Sequence, residues 1–498
     1  MKELLSPQKI KGLLFDHLST RQIIAKNVFW LGFGEFVPRI FKFFLVVFTA
    51  RILGADDYGK FSFALAFAIF FLMFTDLGLP SIVTREFSKD RAQERHFPAI
   101  FALKIALALL TLLVTIAGSF LITQDPSVRL AIWILSFYVL SQSIRAVIYS
   151  YFHARQRMEY ETLTRLFENL VLFCVGFFIL FVVPSIQGIS LTYAIAGLVG
   201  FISALILMHW RIAPIAFSFA PKTWRYFISL SWPLGLAGLA GTVIAQIDSL
   251  ALGFFGQITQ NGWYNAAYAI FGMTFLPGVI VLAGLFPVMN KAFNMSLEKF
   301  QKIYNLQMEL MIFFAFGFFA GGLALASQVI DFFYDPSYAP AILALQILIL
   351  ANVFVFLSEP LNQALIVVNM QKKVFVAVFA GAAVNVLLDI VLIPQWSLYG
   401  TAFATFAAYV TITAFLLRGA ILHLPITILG TSLRFALLGG AVAAAATYVF
   451  LNYLGVKDLH VLFLVAAGGV VYLSTFLAFR FLASKVFPNA YRYATKDV

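Results

Sequence analysis

The stretch Asn27–Ala50, NVFWLGFGEFVPRIFKFFLVVFTA, is apolar enough to enter a bilayer and carries three charges on one face. Its 24 residues reach about 36 Å as a helix, against a hydrocarbon core about 30 Å thick. Glu35, Arg39 and Lys42 fall at i, i+4 and i+7, so a helix projects all three from the same side. A charge at mid-bilayer costs at least about 2.5–3.5 kcal/mol, so that side faces a protein interior or a water-filled cavity. Two readings fit the spacing. One is an internal Glu35–Arg39 pair with Lys42 reaching to the surface; the other is an anion-binding wall in a transport pathway.

Composition narrows the class. Of the 498 residues, 62% are hydrophobic and 11% charged, with a mean hydropathy of +0.93. A soluble chain carries about 25% charged residues, so a multi-span membrane protein is expected. The single cysteine, Cys174, lies in an apolar run and offers neither a disulfide framework nor a CxxC signal. No cleavable signal is expected at the N-terminus, because the first hydrophobic run is too long for an h-region. Leu13, Leu14 and Phe15 beside Lys9 and Lys11 suggest a short interfacial helix.

Apolar runs of spanning length fall at 27–50, 61–84, 97–122, 129–151, 165–186 and 188–208, then at 229–255, 262–289, 307–330, 340–368, 374–394 and 397–418, with two more at 431–453 and 460–484. Fourteen spans are therefore expected. Pro38, Pro233, Pro277 and Pro360 interrupt some of them, which spanning helices tolerate as kinks. With the N-terminus cytoplasmic, 26 Lys and Arg residues fall on inner segments and helix ends and 4 on outer loops. That bias sets both termini inside. It also accounts for the net charge of +12 without nucleic acid, since the basic residues face anionic inner-leaflet lipid.

The chain also repeats itself. Gly59-Lys60-Phe61-Ser62 opens the second span and Gly262-Trp263-Tyr264-Asn265 the eighth; Arg155-Gln156-Arg157 closes the fourth and Gln371-Lys372-Lys373 the tenth. Pro184 and Gly188 end the fifth span as Pro394 and Gly400 end the eleventh. Spans one to six thus recur as seven to twelve, with both halves in the same orientation. The expected fold is an all-α polytopic membrane protein of fourteen transmembrane helices. Two pseudo-symmetric six-helix lobes surround a central cavity, and two extra C-terminal helices follow. The organisation reads as a cytoplasmic segment 1–26, an N-terminal lobe 27–208, a cytoplasmic linker 209–228, a C-terminal lobe 229–418, helices thirteen and fourteen at 431–484, and a cytoplasmic tail 485–498.

Four stretches carry a resemblance: ARILGADDYGKFSFA at 50–64, TDLGLPSIVTRE at 75–86, IDSLALGFFG at 247–256 and NVLLDIVLIPQWSLYGTAFAT at 385–405. Together they resemble the polysaccharide-biosynthesis family of Wzx-type oligosaccharide flippases, within the multidrug/oligosaccharidyl-lipid/polysaccharide superfamily. The resemblance covers spans one to twelve. It implies a fourteen-helix fold and a substrate of undecaprenyl-diphosphate-linked sugar, turned from the inner to the outer leaflet. Asp389 departs from the family's pattern, standing where many relatives have a second Asn after Asn385.

Intramembrane polar residues cluster on faces, as a cavity requires. The fourth span carries Gln142, Arg145 and Tyr149, and the tenth Asn352, Glu359 and Gln363. The repeat sets Arg145 nearly opposite Glu359, a cation against an anion. Arginine's planar fork is the best phosphate ligand, so Arg39 and Arg145 are the diphosphate candidates, with Lys42 third. Gln142, Tyr149, Asn265, Tyr268, Asn352 and Gln363 are the glycan-contacting candidates. Glu35, Asp76, Asp248, Glu359 and Asp389 are candidates for coupling or gating, Asp248 through an ion or through a salt bridge between the lobes. Arg145 has an alternative reading as a buried partner of Asp76 or Glu35. Lys104 reads as a snorkelling residue near the cytoplasmic end, and Glu168 and Glu309 as solvated.

No nucleophile–base–oxyanion set, metal-ligand spacing or phosphate-cradling glycine loop appears, so no enzyme and no cofactor are expected. The expected activity is translocation of an undecaprenyl-diphosphate-linked oligosaccharide across the cytoplasmic membrane by alternating access, with coupling to a proton or sodium gradient open. Helices thirteen and fourteen would offer a groove for the prenyl tail. The expected partners are that glycolipid and membrane lipid, with a polysaccharide polymerase and glycosyltransferases of the same pathway beside them. A peptidoglycan-precursor flippase is the near alternative. A multidrug cation antiporter fits less well, because Arg39, Lys42 and Arg145 would repel its substrate. A non-transporting scaffold has no use for charge on several facing helices.

Overall fold

The structure, a computed structural model, describes residues 20–453 and 459–486. The suggested interfacial helix near Leu13, the outer-loop Lys457 and most of the C-terminal tail lie outside the described residues. Every regular element among the described residues is a helix. Helix α1 (Thr20–Asp76) holds two spans in sequence, divided where Gly54 leaves helical geometry at φ 77° and ψ 171°. Then come α2 (Leu79–Lys89), a 3-10 turn (Arg91–His96), α3 (Phe97–Ile122), α4 (Pro126–Ala154), α5 (Met158–Val182), α6 (Ile186–Arg211) and α7 (Pro221–Phe254). Helices α8 (Ile258–Thr274) and α9 (Leu276–Met295) together make the eighth span. After them run α10 (Leu297–Phe333), α11 (Ala341–Val367), α12 (Gln371–Trp396), α13 (Leu398–His423), α14 (Thr431–Tyr453) and α15 (Val461–Val486). The 58-residue segment Gly32–Lys89 is long enough to cross twice, and twelve further segments are long and apolar enough to cross once. The described residues thus have room for the fourteen crossings. This is a multi-pass membrane protein.

Local chemistry explains where the spans begin and break. Asp125 caps α4 by accepting from Ser127 N at 2.8 Å, and Ser185 caps α6 by accepting from Gly188 N at 3.0 Å. The second span does not run through: Leu77 at φ 41° and Gly78 at φ 74° turn the chain between α1 and α2. The eighth span has its own break, at Phe275 between α8 and α9. The repeat seen in the sequence is also written in the backbone. Left-handed Gly54 precedes the second span as Gly256 precedes the eighth, and left-handed Gln156 follows the fourth as Asn369 follows the tenth.

Contacts divide the chain into two compact units, one through Leu250 and one from Ala251 onward. In the first, α5 packs along α1 and α6 along α4, while α2 and α3 lean on α4. Close approach of α1 and α5 depends on absent side chains: a Cβ on Gly34 would sit 2.8 Å from Thr162 Oγ1, and one on Gly176 2.6 Å from Leu45 Cδ1. A core of Leu79, Ile82, Val83, Phe87, Phe97 and Phe152 fills the end where α2, α3 and α4 meet. In the second unit α13 packs on both α11 and α12, α10 packs on α11, and α14 and α15 attach to α10. Long apolar side chains cover the outward faces, from Leu113 at 65% exposed on α3 to Phe181 at 68% on α5 and Val470 at 64% on α15. In water such a surface would aggregate; against acyl chains it is matched.

Candidate functional site

The charged face that opens the sequence meets a second charged face in the first unit. On α1, Glu35 Oε2 accepts from Arg39 Nη2 at 3.2 Å; its other oxygen accepts from Arg165 Nη1 on α5 at 2.6 Å. Arg165 also reaches Glu161 at 2.7 Å, one turn back on its own helix, and Glu161 in turn takes His153 from the end of α4. The result is an alternating chain of charges on α1 and α5, with His153 of α4 bonded at its end. Its members differ in access: the side chains of Glu35, Arg39 and Arg165 are 37–43% exposed, whereas Glu161 is 5% exposed.

A second pair lies beside the first and is closed. Arg145 on α4 sends both terminal nitrogens to Glu168 on α5, the Nη2–Oε1 bond measuring 2.8 Å, and both residues are only 4% exposed. The ring of Tyr149 lies 5.7 Å from the guanidinium carbons of both Arg145 and Arg165, and its hydroxyl accepts from Thr164 at 2.8 Å. Gly200 on α6 makes room for the pair, since a Cβ there would stand 2.0 Å from Arg145 Nη1. Lys42 is half-buried within electrostatic reach of Glu168 and Arg39. Four cations, Arg39, Lys42, Arg145 and Arg165, thus face three carboxylates, Glu35, Glu161 and Glu168.

Four residues require correction. Glu168 is not solvated: α5 starts at Met158, earlier than the apolar run implied, and carries it into the interior opposite Arg145. Arg145 therefore has a resident carboxylate, and it is neither Asp76 nor Glu35. Lys104 does not snorkel; it is fully buried and donates to Asp76 Oδ1 at 2.5 Å and to the Thr75 carbonyl at 2.8 Å. It neutralises the C-terminal end of α1 at the break before α2, where carbonyls have no helical partner. Glu309 is mostly covered and pairs with Arg480 of α15 at 3.0 Å.

Arg165 is the functional candidate that sequence reasoning passed over, having been counted among the loop cations. The signal was present: Glu161, Arg165 and Glu168 repeat on α5 the i, i+4, i+7 spacing of Glu35, Arg39 and Lys42 on α1.

The remaining candidates divide between the units. In the first unit Gln142 bonds Tyr138 on α4, and Asp248 is buried on α7. In the second unit Asn265 donates to Asn261 Oδ1 at 2.8 Å, and the Tyr268 ring lies 5.7 Å from that of Tyr264. On α11, Asn352 donates to Thr274 at 2.5 Å, Glu359 accepts from Asn362 at 3.2 Å, and Gln363 accepts from Gln307 at 2.6 Å. Asn385 and Asp389 are buried on α12.

Similarity to known proteins agrees with this architecture. The family model described as polysaccharide biosynthesis protein matches residues 24–293. A protein of Escherichia coli (strain K12) named "Putative O-antigen transporter" is 22% identical over 407 residues, covering 79% of this chain and 96% of its own. Among solved structures, the lipid II flippase MurJ in an inward closed conformation superposes with a TM-score of 0.77 at 16% identity, covering 92% of this chain and 98% of that one. An inward-facing multidrug resistance MATE family transporter of the MOP superfamily gives 0.64 at 14% identity, covering 79% and 97%. These likenesses extend to the fold.

Proposed function

The chain belongs to the polysaccharide biosynthesis protein family, and from that premise we propose that it carries an undecaprenyl-diphosphate-linked oligosaccharide, such as an O-antigen unit, across the cytoplasmic membrane by alternating access. The observation that carries this reading is the charge chain on α1 and α5. A cationic drug would be repelled there, whereas a diphosphate finds two guanidiniums on different helices, Arg39 and Arg165, with Lys42 adjoining. Glu35 occupies the position between the two guanidiniums. An arriving diphosphate competes with that carboxylate, and its binding loosens the tie between α1 and α5. Arg145, whose fork is held by Glu168, acts as a positioning residue that fixes Tyr149 and the neighbouring turn of α5. Gln142 on α4 in the first unit and, separately, Asn265 on α8 and Gln363 on α11 in the second unit supply amide groups for sugars.

The test compares a prenyl diphosphate with a prenyl monophosphate carrying the same glycan, bound to the purified protein. Losing a charge-assisted bond to phosphate costs about 1.5–3 kcal/mol, roughly tenfold to a hundredfold in affinity. Arg39→Ala and Arg165→Ala are expected to shrink the preference for the diphosphate by that factor, with lysine at either position restoring only part of it. Folded variants that discriminate as well as the parent protein would remove these residues from the headgroup site. Tighter binding of a peptidoglycan precursor than of any O-antigen-type glycolipid would move the chain to that substrate instead.

The proposal includes a coupling role for Asp248, a carboxylate buried in a spanning helix. Transport by Asp248→Asn, measured with and without an imposed proton or sodium gradient, is expected to lose its dependence on one of them. An unchanged dependence would make Asp248 structural.

A further inference from the structure

Between α6 and α7 the chain leaves the bundle and crosses its end as a nine-residue strap, 212–220, with no regular structure. It is pinned from beneath. Ser218 N donates to the Pro98 carbonyl at 3.3 Å, Trp224 Nε1 to the Ala99 carbonyl at 2.8 Å, and the ring of Phe217 lies 5.5 Å from that of Phe101. Ile212, Ala213, Ile215 and Trp224 pack on the core formed by α2, α3 and α4. Even held in this way, the strap leaves four aromatic side chains largely exposed. Trp210 is 77% exposed, Phe219 79%, Phe217 65% and Tyr226 51%. Interleaved with these rings are three exposed cations, Arg211, Lys222 and Arg225. No Asp or Glu occurs anywhere from residue 169 to 247 to balance them.

The acids near this end are already engaged. Glu94 takes Arg155 and Tyr151, and Glu86 takes Arg85 and Lys89. Asp90 is committed to Ala92 N, and Arg91 and Arg95 beside it add further exposed cations. Trp210 and Tyr226, which join an apolar body to a polar edge, stand with the apolar rings of Phe217 and Phe219 among uncompensated cations, a mixture that matches the zone where acyl chains give way to phosphates.

We propose that residues 210–226 form an interfacial strap that binds anionic phospholipid. The aromatic rings enter the headgroup and acyl boundary of the cytoplasmic leaflet, while Arg211, Lys222 and Arg225 hold the phosphates. A basic side chain at an anionic surface strengthens binding about fivefold, so removing three lowers it by roughly a hundredfold. The full-length protein is placed in nanodiscs of phosphatidylethanolamine with a minor fraction of phosphatidylglycerol, and the lipids retained on extraction are quantified by native mass spectrometry. The variant Arg211→Gln/Lys222→Gln/Arg225→Gln is compared with Lys291→Gln/Lys299→Gln/Lys372→Gln, which removes as many exposed inner-side cations elsewhere. Thermal unfolding in neutral detergent checks that both remain folded. Loss of bound phosphatidylglycerol in the first variant alone supports the strap. Equal retention by the first variant and the parent protein, or equal loss in both variants, overturns it. A further variant, Phe217→Ser/Phe219→Ser, is expected to weaken retention of both lipids; an unchanged profile would take the aromatic rings out of the site.

Discussion

Arg39 and Arg145 are both arginines on polar faces of spanning helices, yet their surroundings give them different work. Arg145 is buried with its fork closed on Glu168, whereas the side chain of Arg39 is 43% exposed and touches Glu35 at 3.2 Å. Removing one partner of a buried pair leaves the other charge stranded, at a cost of about 3–5 kcal/mol; an exposed pair is worth about 0–1 kcal/mol. Arg145→Met and Glu168→Gln are therefore expected to lower the thermal unfolding midpoint sharply, Arg145→Met/Glu168→Leu to recover much of the loss, and Arg39→Ala to leave it nearly unchanged. If Arg39→Ala destabilises as much as Arg145→Met, the separation between a structural and a ligand-facing arginine fails. At this scale the sequence was half legible. Spacing on one helix identified Glu35 and Arg39 as neighbours, because i, i+4 partners need no tertiary information. The partner of Arg145 lies 23 residues away on another helix, and its position depends on the rotation of α5 about its own axis, which no local pattern encodes.

Among the elements, each apolar run read from the sequence falls on a described helical segment long enough to cross, because the bilayer imposes a minimum apolar length that a linear scan detects directly. The breaks within crossings were less visible. Gly78 shows why, since its need for glycine comes from both conformation and neighbours. It sits at φ 74°, and a Cβ there would lie 2.6 Å from the Ser231 carbonyl oxygen and 2.8 Å from Gly235 N on α7. Gly54, at φ 77°, has nothing within 4 Å of such an atom. Alanine at Gly54 carries only the conformational penalty of about 1–3 kcal/mol. At Gly78 it adds an overpacking cost of about 1–3 kcal/mol against backbone that cannot rotate away. Thermal unfolding of the two alanine variants is expected to rank Gly78→Ala clearly below Gly54→Ala; the reverse order would mean that α7 does not press on the break. The Lys104–Asp76 clasp belongs to the same joint. Lys104→Met leaves Asp76 and the Thr75 carbonyl without their cation and is expected to increase amide exchange at 73–79, whereas unchanged protection there would make the clasp incidental.

For the whole molecule, the direction of insertion turns pattern into function, because a flippase must present its headgroup site to the leaflet where its substrate is made. The bias of 26 basic residues to 4 argues that the N-terminus and the turns around 85–96, 152–164 and 291–306 face the cytoplasm. The fold adds an independent constraint, since Arg155 grips Glu94 with Nε–Oε1 at 2.8 Å and Nη2–Oε2 at 2.5 Å. The turn before α3 and the turn after α4 therefore share one end of the first unit, as an even number of intervening crossings demands. Four single-cysteine proteins test this in a Cys174→Ser background, chosen because Cys174 is exposed. Lys89→Cys and Lys299→Cys occupy exposed positions at helix ends assigned to the inside; Gln124→Cys and Ser337→Cys occupy exposed positions in connections assigned to the outside. A membrane-impermeant maleimide added to intact cells is expected to label the second pair alone, and the first pair only after the membrane is opened. Inverted labelling of all four would reverse the orientation and put the charge chain of α1 and α5 at the wrong leaflet for an inward-loading flippase. A mixed pattern, with Lys89→Cys inside and Lys299→Cys outside, would mean an odd number of crossings between them, and α8 and α9 would then have to be two spans rather than one span with a break at Phe275.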